Sequence, residues 1–349
     1  MRAVLSIDLG AVVRNWRRLG ERHRGGAVAA VVKADAYGLG AAPVAAALRD
    51  AGCRHFFVAH PDEGETLRDR LGPMGDGGPM IAVLNGFGGR DHSRLTPVLN
   101  GLADIAAHRG PALLQVDTGM SRLGLSPAEV ASLAADPSPL AGVEPLYVMT
   151  HLACADEPDH PLNAAQATRF AEACTRLPRV RRSFANSSGI FLGPRFASEL
   201  ARPGAALYGL NPTPGAPNPM EPVLRLRAPI LQLREIAAGE TVGYAATWLA
   251  PRPSRIATVA LGYADGLPRA VEGRISGRLH GAEVPLVGRV SMDLATFDVT
   301  DAPPAAPGDM IELLGPHQDA DALAAASCTI GYEILTRLGR RFAREYTPA

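Results

Sequence analysis

Residues 28–71 read VAAVVKADAYGLGAAPVAAALRDAGCRHFFVAHPDEGETLRDRL. The stretch divides into an apolar run (Val28–Lys33), an Ala-rich segment (Ala41–Ala51), a second apolar run (His55–Ala59) and a segment opened by proline (Pro61–Leu71). Short apolar runs fit buried strands, and longer Ala-rich or amphipathic segments fit helices, so the spacing predicts β-α-β-α. The alternation continues to about residue 209, with predicted strands at Met80–Leu84, Thr96–Leu99, Ala112–Val116, Pro145–Thr150, Arg182–Ala185 and Ser198–Ala201. Further helices are predicted at Ala11–Glu21, Pro127–Ala135 and Pro161–Arg176, several with proline in the first turn. Eight strands separated by helices predict a (β/α)8 barrel. An open doubly wound sheet is the alternative, but no G-x-G-x-x-G follows the first strand.

The texture then changes. Asn211–Pro222, NPTPGAPNPMEP, holds five prolines and one glycine in twelve residues and reads as a linker. Beyond it, alternating segments at Val223–Leu233, Arg255–Leu261, Glu283–Val290, Leu294–Val299 and Met310–Leu314 predict a smaller, mainly antiparallel β domain. Helices around Ala322–Ala326 and Tyr332–Arg340 close the chain. The expected division is a barrel domain over 1–222 and a β-rich domain over 223–349.

Composition bounds the function. A length of 349 residues suits two domains. Thirty-five basic against thirty-five acidic side chains leave no net charge to favour nucleic acid or an anionic membrane surface. No apolar run reaches the ~18 residues of a membrane span. Asp8 falls where a signal peptide needs its apolar stretch, and the four cysteines (Cys53, Cys154, Cys174, Cys328) form no C-x-x-C pair. A cytoplasmic protein is expected.

Of the basic residues, thirty-four are arginine and one, Lys33, is lysine. A guanidinium stays protonated, whereas a desolvated lysine amine serves as nucleophile or base, so a lone lysine in this background is a candidate for amine chemistry. Lys33 follows the first predicted strand, and other polar residues also follow strands: Asp117–Arg122, His151, Asn186–Ser188, and Arg202 with Gly204. In a barrel these positions share the C-terminal face, where βα loops build active sites. Backbone N–H groups at Gly204 and Ala205, with the hydroxyls of Ser187 and Tyr37, suit a phosphate. His151, Cys154 and His160 lack a further cluster to complete a four-ligand metal site, so no metal is expected. A reactive amine, a phosphate cradle and two arginines together point to pyridoxal phosphate.

At this point the motifs resemble the alanine racemase family. AVVKADAYGLG around Lys33, DTGMSRLG around Arg122, THLA around His151, ANSSG at 185–189, RPGAALYG from Arg202, LGYADG around Tyr263, GRVSMD ending at Asp293 and GYEILT around Tyr332 run in order along nearly the whole chain. The resemblance implies a homodimer with shared active sites that interconverts L- and D-alanine on pyridoxal phosphate. Lys33 would hold the cofactor and act as the base for the D-enantiomer. Tyr263, with Met292, would enter from the second subunit, Tyr263 as the base for the L-enantiomer and Met292 beside the substrate. Arg202 would face the ring nitrogen, supported by His151, and Arg122 would contact the cofactor's phenolic oxygen and the substrate carboxylate. Tyr37, Asn186, Ser187, Gly204, Ala205 and Tyr332 would bind the phosphate.

Two positions depart from the family pattern. Gln115 stands where many members carry a carbamylated lysine; its amide can hydrogen-bond Arg122 but brings no charge. Leu39 replaces a frequent histidine. The rival readings are a racemase of another or broader range (serine, lysine), a non-catalytic pyridoxal-phosphate carrier, and a decarboxylase. The carrier has no use for a second base such as Tyr263, and the decarboxylase calls for a carboxylate where Arg202 stands.

Overall fold

The computed structural model describes residues 2–73, 78–88, 90 and 92–349. It divides into two units, Gly10–Glu221 and the N-terminal segment through Leu9 together with Pro222–Ala349.

In the first unit the alternating runs form a parallel sheet rolled on itself. Its strands, in spatial order, are Ala27–Val28, Leu200–Ala201, Arg181–Ser183, Val143–Met149, Gly110–Gln115, Thr96–Leu99, Met80–Val83, His55–Val58 and Ala30–Val31. The first and last are halves of one extended stretch interrupted only at Ala29, so nine segments fill eight barrel positions. That stretch bonds on both sides: the Ala29 N–H donates to the Ala201 carbonyl and the Val32 N–H to the Phe57 carbonyl, each at 2.8 Å. Burial on both faces explains why the strands read as apolar runs without alternation, with Phe56, Phe57, Ile81, Ala82, Val83, Leu113 and Leu114 wholly inaccessible. Local signals fix the helix starts. Ser126 and Glu129 cap Pro127–Ala135 reciprocally, the Glu129 N–H donating to Ser126 Oγ (3.2 Å) and the Ser126 N–H to Glu129 Oε2 (2.8 Å). One crossover helix, Leu102–Ala107, escapes the sequence reading, because six residues are too few for a helical period to register.

The second unit is built on a thirteen-residue strand, Leu224–Ile236. It pairs antiparallel with Val4–Asp8, Met310–Leu314 and Ser254–Val259, and a register shift between Ile230 and Gln232 marks where it irregularly continues along the last of these. Ser254–Val259 pairs antiparallel with Ala295–Asp298, and Ser276–Leu279 with Ala282–Pro285. The only parallel pair among the described residues of this unit joins Val4–Asp8 to Ala343–Thr347. The sheet is thus mainly antiparallel. Val4–Asp8 is a departure from the expected 1–222 division. Its alternation buries Leu5 and Ile7 fully against strands of this unit, a two-residue period too short to stand out before the helix Leu9–His23.

Among the described residues no helix is long and apolar enough to cross a membrane.

Candidate active site

Because the barrel strands are parallel, their C-terminal ends open on one face, and the polar residues that follow them gather there. Lys33 follows the strand Ala30–Val31 and opens an unusual turn. Ala34, Asp35, Ala36 and Tyr37 all have left-handed backbone angles (φ 53°, 54°, 53° and 56°), and the Gly38 N–H closes the turn on the Ala34 carbonyl at 2.8 Å. At about 1–2 kcal/mol per non-glycine residue, the run costs roughly 4–8 kcal/mol before compensation. Carboxylates hold it in place. The Ala34 N–H donates to Glu63 Oε1 (2.7 Å), the Ala41 N–H to Asp35 Oδ1 (2.7 Å), and the Ala59 and His60 N–H groups to Glu63 Oε2 (2.8 and 3.1 Å). Strain maintained by several contacts at a barrel mouth is a mark of function.

The electrostatics of the mouth are dominated by cations. Burial, and then the Arg122 guanidinium, push the Lys33 ammonium below the usual lysine range, with Glu63 opposing. His151 is depressed to about 3 by burial and by the charges of Arg202, Arg122 and Lys33, so its ring is neutral at ordinary pH. Arg202 is buried and lowered to about 10 by that burial, yet keeps its proton at neutrality. Its guanidinium donates to Ser183 Oγ (2.6 Å) and to the Thr150 carbonyl (2.5 Å). Among the described residues no hydrogen bond joins His151 to Arg202; the link between them is the Arg202 charge acting on the His151 ring. Among the described residues neither Arg202 nor Arg122 has a carboxylate partner.

Arg122 projects from the loop 117–124, whose shape is fixed by its own backbone. Asp117 Oδ1 accepts the N–H groups of Gly119, Met120 and Ser121 (2.8, 3.0 and 3.1 Å). At the base, the Leu125 N–H donates to the Gln115 carbonyl and the Asp117 N–H to the Leu125 carbonyl. The Gln115 amide N–H donates to the Leu123 carbonyl (3.0 Å), and no hydrogen bond joins Gln115 to Arg122 among the described residues. Gln115 thus steadies the loop beneath Arg122.

The remaining residues of the barrel mouth surround Gly204. A Cβ there would lie 2.2 Å from Tyr37 Oη, so only glycine admits the tyrosine hydroxyl. Tyr37 also packs on the buried Tyr208, their rings 4.8 Å apart, and Tyr208 Oη donates to the Val31 carbonyl (2.9 Å). Ser187 Oγ accepts the N–H groups of Gly204 (3.0 Å) and Ala206 (3.2 Å). The Gly204 N–H expected to be open is consequently engaged, while the buried Ala205 N–H has no partner among the described residues. Asn186 serves its own turn, accepting the Gly189 N–H (2.9 Å) and donating to the Leu152 carbonyl (3.4 Å). Among the described residues, no three His, Cys, Asp or Glu side chains gather as metal ligands.

In the other unit, Tyr263, Met292 and Tyr332 are exposed to 43%, 55% and 43% respectively. Tyr263 and Met292 are neighbours: the Tyr263 N–H donates to the Ser291 carbonyl (3.0 Å) and the Ala264 N–H to the Met292 carbonyl (2.9 Å).

Glu63 and Ser183 escaped the sequence reading. Glu63 stood in plain view at the third helical position of PDE, where a glutamate reaches back to the helix start. Ser183, a buried hydroxyl inside a predicted strand, carried no signal at all.

Comparison with known proteins gives a consistent result. The family model for the alanine racemase N-terminal domain matches residues 7–212, and that for the alanine racemase C-terminal domain matches residues 223–346. An alanine racemase from Acidiphilium cryptum is 56% identical over 353 residues, covering 97% of each chain. A catabolic alanine racemase from Mesorhizobium japonicum is 49% identical over 360 residues, covering 99% of this chain and 93% of that protein. The crystal structure of alanine racemase from Bartonella henselae with covalently bound pyridoxal phosphate superimposes with a TM-score of 0.91 at 40% identity, covering 99% of this chain and 100% of that one.

Two predictions follow the charges. Removing Glu63 takes away the one group that favours the Lys33 ammonium, so Glu63→Ala should shift the pH midpoint of Lys33 acylation downward in the free chain. Peptide mass mapping follows this at the only lysine; a midpoint that stays or rises would separate Glu63 from Lys33. His151 is neutral in the folded chain down to pH about 3, whereas in the unfolded chain it takes up a proton below about 6.5. The unfolded state then binds more protons, and stability falls as pH drops through that window, by up to about 1.4 kcal/mol per unit. His151→Gln should flatten urea-unfolding stability between pH 6 and 4 (approximate limits), leaving a residual slope from His55, itself lowered to about 4. An unchanged slope would contradict the assignment.

Proposed function

The chain belongs to the alanine racemase family, and from that premise we propose that it interconverts L- and D-alanine with pyridoxal phosphate, using Lys33 and Tyr263 as opposed bases. The observation that carries the reading is the desolvated amine of Lys33, the chain's one lysine, at a barrel mouth crowded with unpaired cations.

The residues fit the cofactor. An anionic phosphate suits the unpartnered Ala205 N–H beside Ser187, Tyr37 and the glycine that Tyr37 requires to be bare. When bound, such a cofactor supplies an electron-withdrawing ring that acidifies the Cα–H of an amino acid attached to it. Lys33 would hold the group, and its amine, freed when the amine of the amino acid takes its place there, would take or return the proton on one face of Cα. The Tyr263 phenol does the same on the opposite face, because inversion requires a base on each side. Arg202, which keeps its proton, would hold the ring-nitrogen end of the group without protonating it, which would restrain side reactions that need a fuller electron sink. Arg122, without a carboxylate partner, receives the carboxylate of alanine. His151 stays neutral and adds no charge between them. Tyr332, Tyr37 and Ser187 bind the phosphate, and the Asn186 turn carries Ser187.

Tyr263 and Met292 serve the site of a second copy of the chain. Supporting this, the unit that carries them also exposes Tyr244, Leu249, Leu294 and Ile330, apolar area available to a second copy. A reducing, cytoplasmic setting suits the four free cysteines.

The test is hydrogen exchange at Cα in heavy water. Tyr263→Phe should wash deuterium into D-alanine through Lys33 while neither exchanging L-alanine nor racemising either enantiomer. A variant that still racemises at the normal rate removes Tyr263 from the chemistry. Mixed dimers of inactive Lys33→Ala and Tyr263→Phe chains should regain activity, one intact site being reconstituted per pair; confirmed mixed dimers without activity would mean self-contained subunits.

A further inference from the structure

We propose that Arg341 is a positioning residue for Tyr263, locking the loop that bears the phenol to the loop that bears Met292. The inference deepens the reading of Tyr263 as a base and rests on it.

All three guanidinium nitrogens of Arg341 are engaged. Nε donates to Asp265 Oδ1 (2.7 Å), one terminal nitrogen to Asp265 Oδ2 (3.1 Å), and the other to Asp293 Oδ1 (2.7 Å). Asp265 lies two residues after Tyr263, and Asp293 one residue after Met292. One planar group thereby bridges two loops that also share the backbone bonds from Tyr263 and Ala264 to Ser291 and Met292. Exposed ion pairs are usually worth little, but this one differs on the carboxylate side. The Asp265 side chain is only 6% exposed, it is held in the two-point geometry that suits arginine, and its Oδ2 also accepts the Gly262 N–H (2.9 Å). It has no solvent to turn to if the guanidinium is lost.

Neighbouring contacts leave the loop little room to relax. The Gly339 N–H donates to the Asp265 carbonyl (3.1 Å). A Cβ at Gly262 would lie 2.3 Å from the Met292 carbonyl oxygen, and one at Gly266, whose φ is +104°, would lie 2.4 Å from that of Arg337. The segment 337–341 is thus a brace laid along the tyrosine loop, with Arg341 as its ionic pin. A phenol that must meet one face of Cα needs placement to a fraction of an ångström, and a misplacement of about 1 Å costs up to about a hundredfold in rate. A lysine ammonium lacks the planar fork, so it cannot keep the two-point grip on Asp265 while also reaching Asp293 as arginine does.

The experiment compares wild type, Arg341→Ala, Arg341→Lys, Asp293→Ala and Tyr263→Phe as holoenzymes. Deuterium wash-in at Cα is followed separately for L- and D-alanine. Arg341→Ala should slow exchange of L-alanine by roughly 10- to 100-fold while leaving exchange of D-alanine, which Lys33 serves, near wild type. Arg341→Lys should fall between, and Asp293→Ala should give a smaller shift of the same sign, which keeps the test available if Arg341→Ala does not fold. In the cofactor-free protein, backbone amide exchange at Tyr263 and Ala264 should accelerate in Arg341→Ala. Equal L and D exchange ratios in folded variants, with unchanged amide protection, would overturn the proposal. If Tyr263→Phe itself keeps L-alanine exchange, the reading of Tyr263 fails instead, so the two failures are told apart.

Discussion

Lys33 occupies a place where its own positive charge is disfavoured. Burial and the Arg122 guanidinium both press it toward the neutral amine, and Glu63 pulls weakly the other way. Arg202, buried and without a carboxylate, adds a second fixed charge nearby, and the His151 ring responds by remaining neutral. A mouth with that much uncompensated charge is poised for an anionic ligand, and an amine whose protonation is disfavoured there is the readier to form and break bonds.

The carboxylates explain how the cations stay unpaired. Asp35, Glu63 and Asp117 all lie in or beside these loops, and each is occupied by main-chain N–H groups: Asp35 by Ala41, Glu63 by Ala34, Ala59 and His60, Asp117 by three successive residues of its loop. These acids act as loop fasteners. They hold the left-handed turn after Lys33 and the tight loop under Arg122, and being spent on amides they do not neutralise the arginines. Asp265 plays a comparable part in the other unit, accepting the Gly262 N–H while it grips Arg341. Positioning and charge are therefore settled by the same few side chains.

Much of this was legible in the sequence. The barrel followed from the strand-helix alternation because parallel strands buried on both faces leave unbroken apolar runs, and the lone lysine after the first strand drew attention to the candidate site. The β-rich second part followed from two-residue alternation after the proline-rich stretch Asn211–Pro222. What escaped was settled by contacts far apart in sequence or by geometry without a pattern. Val4–Asp8 gains its place by pairing with strands more than 200 residues away. The turn Ala34–Tyr37 is left-handed in residues that favour right-handed backbone, so propensity pointed away from it. Gln115 was expected at Arg122 and is found donating to the Leu123 carbonyl, because side-chain chemistry alone does not choose which neighbour an amide meets.

Borohydride trapping tests most directly whether the environment of Lys33 makes its amine the cofactor anchor. The protein is loaded with pyridoxal phosphate, reduced, digested and mapped by mass. The expected result is one cofactor per chain, fixed to Lys33, with the α-amine of the N-terminus unmodified. A fully loaded protein whose reduced cofactor lies elsewhere, or washes away, would contradict the account.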